Sequence, residues 1–117
     1  MAVPEFPNFF CLYGPNAKVA HTSNIILISE CQVRYLMGAL KLICEEGFTT
    51  LDCKPEVAED YEQRMDEALA KMVWSHPSVH GFYRLGDTGR VVVNMPWNAG
   101  QYWSWTKEFD ATEYHCA

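Results

Sequence analysis

The chain has 117 residues, 49% of them apolar and 14% aromatic, a size and composition that predict one compact domain around one core and exclude a disordered chain. A formal net charge of -6 supplies no basic surface and excludes nucleic acid as a partner. No apolar run, neither Ile25 to Ile28 nor Phe9 to Tyr13, approaches the roughly 20 residues of a membrane span, and no basic-then-apolar leader is present, which predicts a cytoplasmic chain with no membrane partner.

Phe9-Phe10-Cys11-Leu12-Tyr13 is a short apolar run bounded by Pro7-Asn8 and Gly14-Pro15-Asn16, the pattern of a strand buried on both faces. A loop is expected from Gly14 to Thr22, with Ser23 or Asn24 capping the helix that follows. That helix, Asn24 to Glu46, has no proline and stops at Gly47, a residue suited to the left-handed position past a helix end. Glu30, Arg34, Lys41 and Glu45 form a narrow wet stripe, with Glu30 and Arg34 placed for an i,i+4 pair. Ile25, Ile26, Leu27, Ile28, Val33, Leu36, Met37, Leu40, Leu42 and Ile43 fill most of the remaining circumference. A helix so nearly apolar all round belongs inside a larger assembly, because each such side chain left in water forfeits roughly 1.5 to 3 kcal/mol.

Phe48 to Cys53 predicts a short strand and Pro55 the first turn of a second helix, running to about Met72. Its positions Val57, Tyr61, Met65, Ala68, Leu69 and Met72 give one apolar face. His80 to Arg84 and Arg90 to Asn94 read as a hairpin around Leu85-Gly86-Asp87-Thr88-Gly89. The tail is aromatic, with Trp103, Trp105 and Thr106 in a short helix.

Chemistry is sparse in this sequence. Cys11, Cys31, Cys44, Cys53 and Cys116 are odd in number and hold no CxxC, and His21, His76, His80 and His115 are scattered. This predicts neither a disulfide framework nor a metal site. Asp52, Glu56, Glu59 and Asp60 are explained by the dipole at a helix start rather than as paired catalytic acids. His21 reads as a solvated loop histidine rather than a proton donor, and the aromatic tail as packing rather than a stacking platform. The strand end, the Gly-Pro-Asn turn and the helix start have the clearest potential, because ligands in α/β proteins sit beyond strand carboxyl ends and against helix amino termini.

The run Met1 to Asn16, containing Phe6-Pro7-Asn8 and Leu12-Tyr13-Gly14-Pro15-Asn16, resembles a segment of the class B flavoprotein monooxygenases, the Baeyer-Villiger and hydroxyacetophenone monooxygenase group. The resemblance continues through Glu30-Cys31-Gln32-Val33-Arg34-Tyr35, Lys54-Pro55-Glu56-Val57, Gly89-Arg90-Val91, Pro96-Trp97, Tyr102-Trp103 and Thr106. It implies an oxidoreductase that uses FAD and NADP for oxygen insertion beside a ketone, with a small ketone or related organic substrate. It also implies an α/β fold (α+β for the piece alone), in which residues 1–53 are the last strand and long helix of a Rossmann-like FAD-binding domain. Residues 54–117 then add a helix, a hairpin and an aromatic tail.

The same resemblance assigns flavin contacts to Gly14, Pro15, Asn16, Asn24 and Ile25, and no catalytic residue to this chain. The two GxGxxG fingerprints and the substrate-holding arginine of the family are not in it, and Ser23-Asn24 stands where the family has a Gly-Ser pair. Met1 therefore resembles an internal methionine, and the segment is expected to be inactive alone. A second reading is a non-enzymatic module that self-associates or binds another subunit through exposed apolar surface. A small enzyme with a site of its own finds no nucleophile-base pair here.

Overall fold

The computed structural model describes residues 1–19, 24–86 and 89–117. Along the chain come β1 (Lys18–Val19), α1 (Ile25–Glu46), β2 (Leu51–Cys53), α2 (Pro55–Leu69), β3 (Asn94–Met95), α3 (Ala99–Thr106) and β4 (Tyr114–Cys116). Short 3₁₀ turns cover Val73–Ser75 and Ala111–Glu113. The chain is thus a mixture of helix and small sheets. β1 pairs with β3 in parallel, Lys18 opposite Asn94, and β2 pairs with β4 antiparallel, Leu51 opposite Cys116.

The helices follow their local signals. Asn24 caps α1 through its side chain, which accepts from the Leu27 N–H, and Gly47 closes it with φ 76°. Pro55 opens α2, where its missing N–H has no cost. Asn98 and Gln101 form a reciprocal capping box on α3. The α1 stripe carries a Lys41–Glu45 pair, while the Arg34 guanidinium lies over the Trp103 ring at 5.1 Å.

Several expectations are corrected. Phe9 to Tyr13 is not a buried strand: it makes one isolated bridge, Ala2 with Phe10, and Phe9 and Leu12 are exposed. A doubly buried strand needs a ladder on each side; here Asn8 and Tyr13 adopt positive φ, and the Asn8 and Cys11 N–H groups donate to Leu51 and Met1 carbonyls. The hairpin is reduced to one bridge, Arg84 with Val91, flanked by the Leu85–Arg90 and Val92–Tyr83 hydrogen bonds. β3 leaves that hairpin to pair with β1, a strand inside the expected loop. The first strand after α1 begins at Leu51 rather than Phe48, and α2 ends at Leu69 rather than Met72.

One core becomes three. Val19, Ile28, Cys31, Met95 and Tyr102 form the first buried cluster, and Tyr35, Ala39, Leu51, Cys53 and Tyr114 the second. Met65, Leu69 and Val91 form the third. They are strung along a molecule 52 Å long and 19 Å thick with a radius of gyration of 15.3 Å, against about 13 Å for a compact domain of this length. A long thin body leaves much of α1 uncovered: Ile26 is 65% exposed and Met37 56%. Among the described residues, no helix is long and apolar enough to cross a membrane.

Candidate functional site

The turn after residue 12 is shaped by two left-handed residues, Tyr13 at φ 51° and Asn16 at φ 54°. Gly14 sits against Cys11 so closely that a Cβ there would lie 2.7 Å from the sulfur, so its smallness serves internal packing. The Asn16 N–H donates to the Val92 carbonyl, and its side-chain nitrogen donates to the Val91 and Asn94 carbonyls, each at 2.9 Å. Asn16 is buried and spends its amide on its own chain, tying the turn to the segment that leads into β3.

Gln32 fixes the other side of the turn. It is 2% exposed; its carbonyl oxygen accepts from the Tyr13 N–H at 2.7 Å and its amide donates to the Tyr102 hydroxyl at 2.9 Å. One side chain on α1 thereby joins the turn to α3. Burial raises the Tyr102 pKa, and the Gln32 hydrogen bond pulls it back by favouring the ionised form. Tyr13 itself packs on the cluster of Val19, Ile28 and Met95, so the turn and the first part of α1 share one set of contacts.

The five expected contact residues therefore differ in what they have to offer. Pro15 and Ile25 are exposed, Ile25 at 53%, and Asn24 caps the helix. Gly14 and Asn16 are occupied within the chain. His21 and Ser23 lie outside the described residues, as do Asp87 and Thr88 of the expected hairpin loop. Beyond the turn, Asn94 is fully buried, and neither polar atom of its side chain has a hydrogen-bond partner among the described residues.

The remaining candidates do not converge. Asp60 pairs with Arg64 at 2.8 Å, Glu56 lies in the first turn of α2, and Asp52 is on β2. His76 Nδ1 is 2.7 Å from the Ser78 hydroxyl. Among the described residues, no three of His, Cys, Asp and Glu gather as a metal-ligating group. The aromatic tail packs: Trp97 lies 5.5 Å from Tyr61 and 5.0 Å from Trp105, and Phe109 sits between Tyr35 and Tyr114 at 4.9 and 4.7 Å.

In the sequence Gln32 stands out only as part of the Glu-Cys-Gln-Val-Arg-Tyr run, and Asn94 carries no role there. A polar residue amid the apolar positions of α1 was the available signal for the first. For the second, an asparagine ending the Val91-Val92-Val93 run was the signal.

Comparison with known proteins gives this arrangement a class. The chain is 35% identical over 112 residues to a monooxygenase, y4iD, of Sinorhizobium fredii, which is 96% of this chain and 17% of the relative. It is 34% identical to a Baeyer-Villiger monooxygenase of Pseudomonas aeruginosa, over 94% of this chain and 21% of that protein. It is 31% identical to an FAD-binding monooxygenase, ktnD, of Aspergillus niger, over 87% of this chain and 17% of that protein. No family model and no solved structure matches. Over nearly its whole length, the chain is homologous to one segment of the flavin-dependent monooxygenases, Baeyer-Villiger enzymes among them. It spans about a fifth of the length of these relatives.

Proposed function

We propose that this chain is the carboxy-terminal segment of an FAD- and NADPH-dependent monooxygenase acting on a ketone or related organic substrate, that it forms one wall of the flavin site, and that it is inactive alone. The observation carrying this reading is similarity across 94 to 96% of the chain to only 17 to 21% of two monooxygenase relatives. In this reading residues 1–53 complete a Rossmann-like FAD-binding domain. Residues 54–117 pack on them as a brace.

The residues present fit one edge of a flavin. α1 presents an amino terminus of 22 helical residues capped by Asn24, whose dipole and first-turn N–H groups favour an electron-rich ring edge. Ile25 in its first turn and Pro15 in the preceding turn are exposed apolar residues. Asn16 contributes by holding the turn, because its amide is already committed to the Val91 and Asn94 carbonyls. The bound flavin supplies the redox chemistry; this chain's residues position its edge and exclude water.

The test uses the Pseudomonas relative lacking its matching segment, mixed with this chain. Restored flavin retention and NADPH oxidation are expected, and both are lost with Ile25→Glu. Failure of the native chain to restore flavin retention removes the wall. FAD binding with NADPH oxidation by the chain alone refutes its dependence on a larger body.

A second reading, self-association, is favoured by the exposed apolar side chains Ile26, Val33, Met37 and Leu40 on α1.

A further inference from the structure

We infer that, as an isolated chain, this protein pairs with a second copy of itself through α1, the two helices running antiparallel with Tyr35 near the midpoint. The inference rests on the self-association reading and is independent of the flavin.

On α1, Ile26, Val33 and Leu40 recur every seven residues, with Ser29, Leu36 and Ile43 between them. This is the spacing that lets two helices pack at a shallow angle along a continuous seam. The first set, together with Met37, is between 45% and 65% exposed. The amino-terminal half of the seam forms an open groove lined by Ile25, Ile26, Ser29, Glu30, Val33 and Arg34. The opposite side of the helix is anchored in its own chain through Ile28, Tyr35 and Ala39, so the seam is presented on a fixed element.

The edges of the seam decide the direction. One edge is charged, in the order Glu30, Arg34, Lys41 and Glu45; the other carries Ile25, Leu36 and Ile43. A parallel pair would lay each charged edge along its partner's apolar edge, desolvating charge against hydrocarbon. An antiparallel pair, related by a two-fold axis across the helices, sets charged edge against charged edge and apolar against apolar.

Charge order then decides the register. A midpoint between Met37 and Gly38 would oppose Glu30 to Glu45 and Arg34 to Lys41, all like charges. A midpoint at Tyr35 places Lys41 within one residue of Glu30 of the second copy, twice by symmetry, and Ile26 opposite Cys44, while Arg34, which would face its own mate, is drawn aside over the Trp103 ring. Cys44 is exposed. The Lys41–Glu45 contact, at 3.9 Å between exposed side chains, is too weak to hold Lys41 back.

Sedimentation equilibrium of the full chain tests this, with a monomer–dimer equilibrium expected. Met37→Glu, at an exposed position that leaves the circular dichroism spectrum unchanged, should raise the dissociation constant by at least about tenfold. Glu30→Lys should weaken the dimer and Lys41→Glu added to it should restore the dimer, a rescue that damage to folding would not give. Oxidised Ile26→Cys should form a covalent dimer that Cys44→Ser abolishes. A native chain that stays monomeric overturns the inference, as it would if only the missing part of a longer protein covers this face. A dimer indifferent to Met37→Glu keeps self-association but overturns the α1 seam, and Ile26→Cys cross-linking without Cys44 overturns the register.

Discussion

Replacing Gln32 by leucine probes the contact that holds the turn in place. The substitution preserves apolar volume on α1 but removes an acceptor 2.7 Å from the Tyr13 N–H and a donor 2.9 Å from the Tyr102 hydroxyl. Each lost hydrogen bond costs about 0.5 to 1.5 kcal/mol, and a partner left buried and unpaired adds to that, giving about 2 to 4 kcal/mol in all. Against a total stability of about 5 to 15 kcal/mol for a domain, this is a drop in Tm of about 10 °C. Thermal unfolding followed by circular dichroism reads it directly. A double-mutant cycle with Tyr102→Phe should show coupling of about 1 kcal/mol. Gln32→Leu within about 0.5 kcal/mol of the native chain, or strictly additive effects in the cycle, would refute the bridge.

Gly38→Ala should destabilise by about 1 to 2 kcal/mol despite the better helix propensity of alanine. The new Cβ would stand 2.6 Å from Phe109 Cβ; urea titration checks this, and a stabilised variant would contradict it. Asn94→Val should raise stability by about 1 kcal/mol, since it removes from a strand a buried carboxamide with no partner among the described residues. A loss of similar size would mean that the carboxamide has a partner. At alkaline pH, burial pushes the Tyr114 hydroxyl up to about 12 and that of Tyr35 also upward. Because the folded state holds these protons more tightly than the unfolded state, their contribution is complete below the ordinary tyrosine value and is lost as pH rises from there towards 12. Unfolding titrations across that window should show the loss, and Tyr114→Phe should reduce it, with the part owed to Tyr35 remaining.

The helices were legible because their signals are local: Asn24, Gly47 and Pro55 mark ends that backbone geometry alone enforces. The sheets were not, because both ladders join distant segments and no local pattern tells Lys18 to pair with Asn94 or Leu51 with Cys116. Phe9 to Tyr13 illustrates the difference. Its apolar run states a need for burial, whereas strand formation depends on neighbours that the sequence of the run cannot name. The site was legible as a region but not residue by residue. Asn16 looks free in sequence and is bound to two carbonyls in the fold, while the bridging role of Gln32 requires knowing that Tyr13 and Tyr102 meet.

The two ladders also govern the order in which this chain can become itself. β1 waits for β3 and β2 waits for β4, with the second pairing interleaved through the first. During synthesis, α1 and α2 can form as they emerge, but neither sheet closes until most of the chain has been made, and contacts between such distant segments form late. Until β4 arrives, the side chains of Leu51 and Cys53, buried in the finished fold, have no strand beside them. Interrupted translation would therefore release a helical intermediate with an open sheet edge, the kind of surface that recruits other chains.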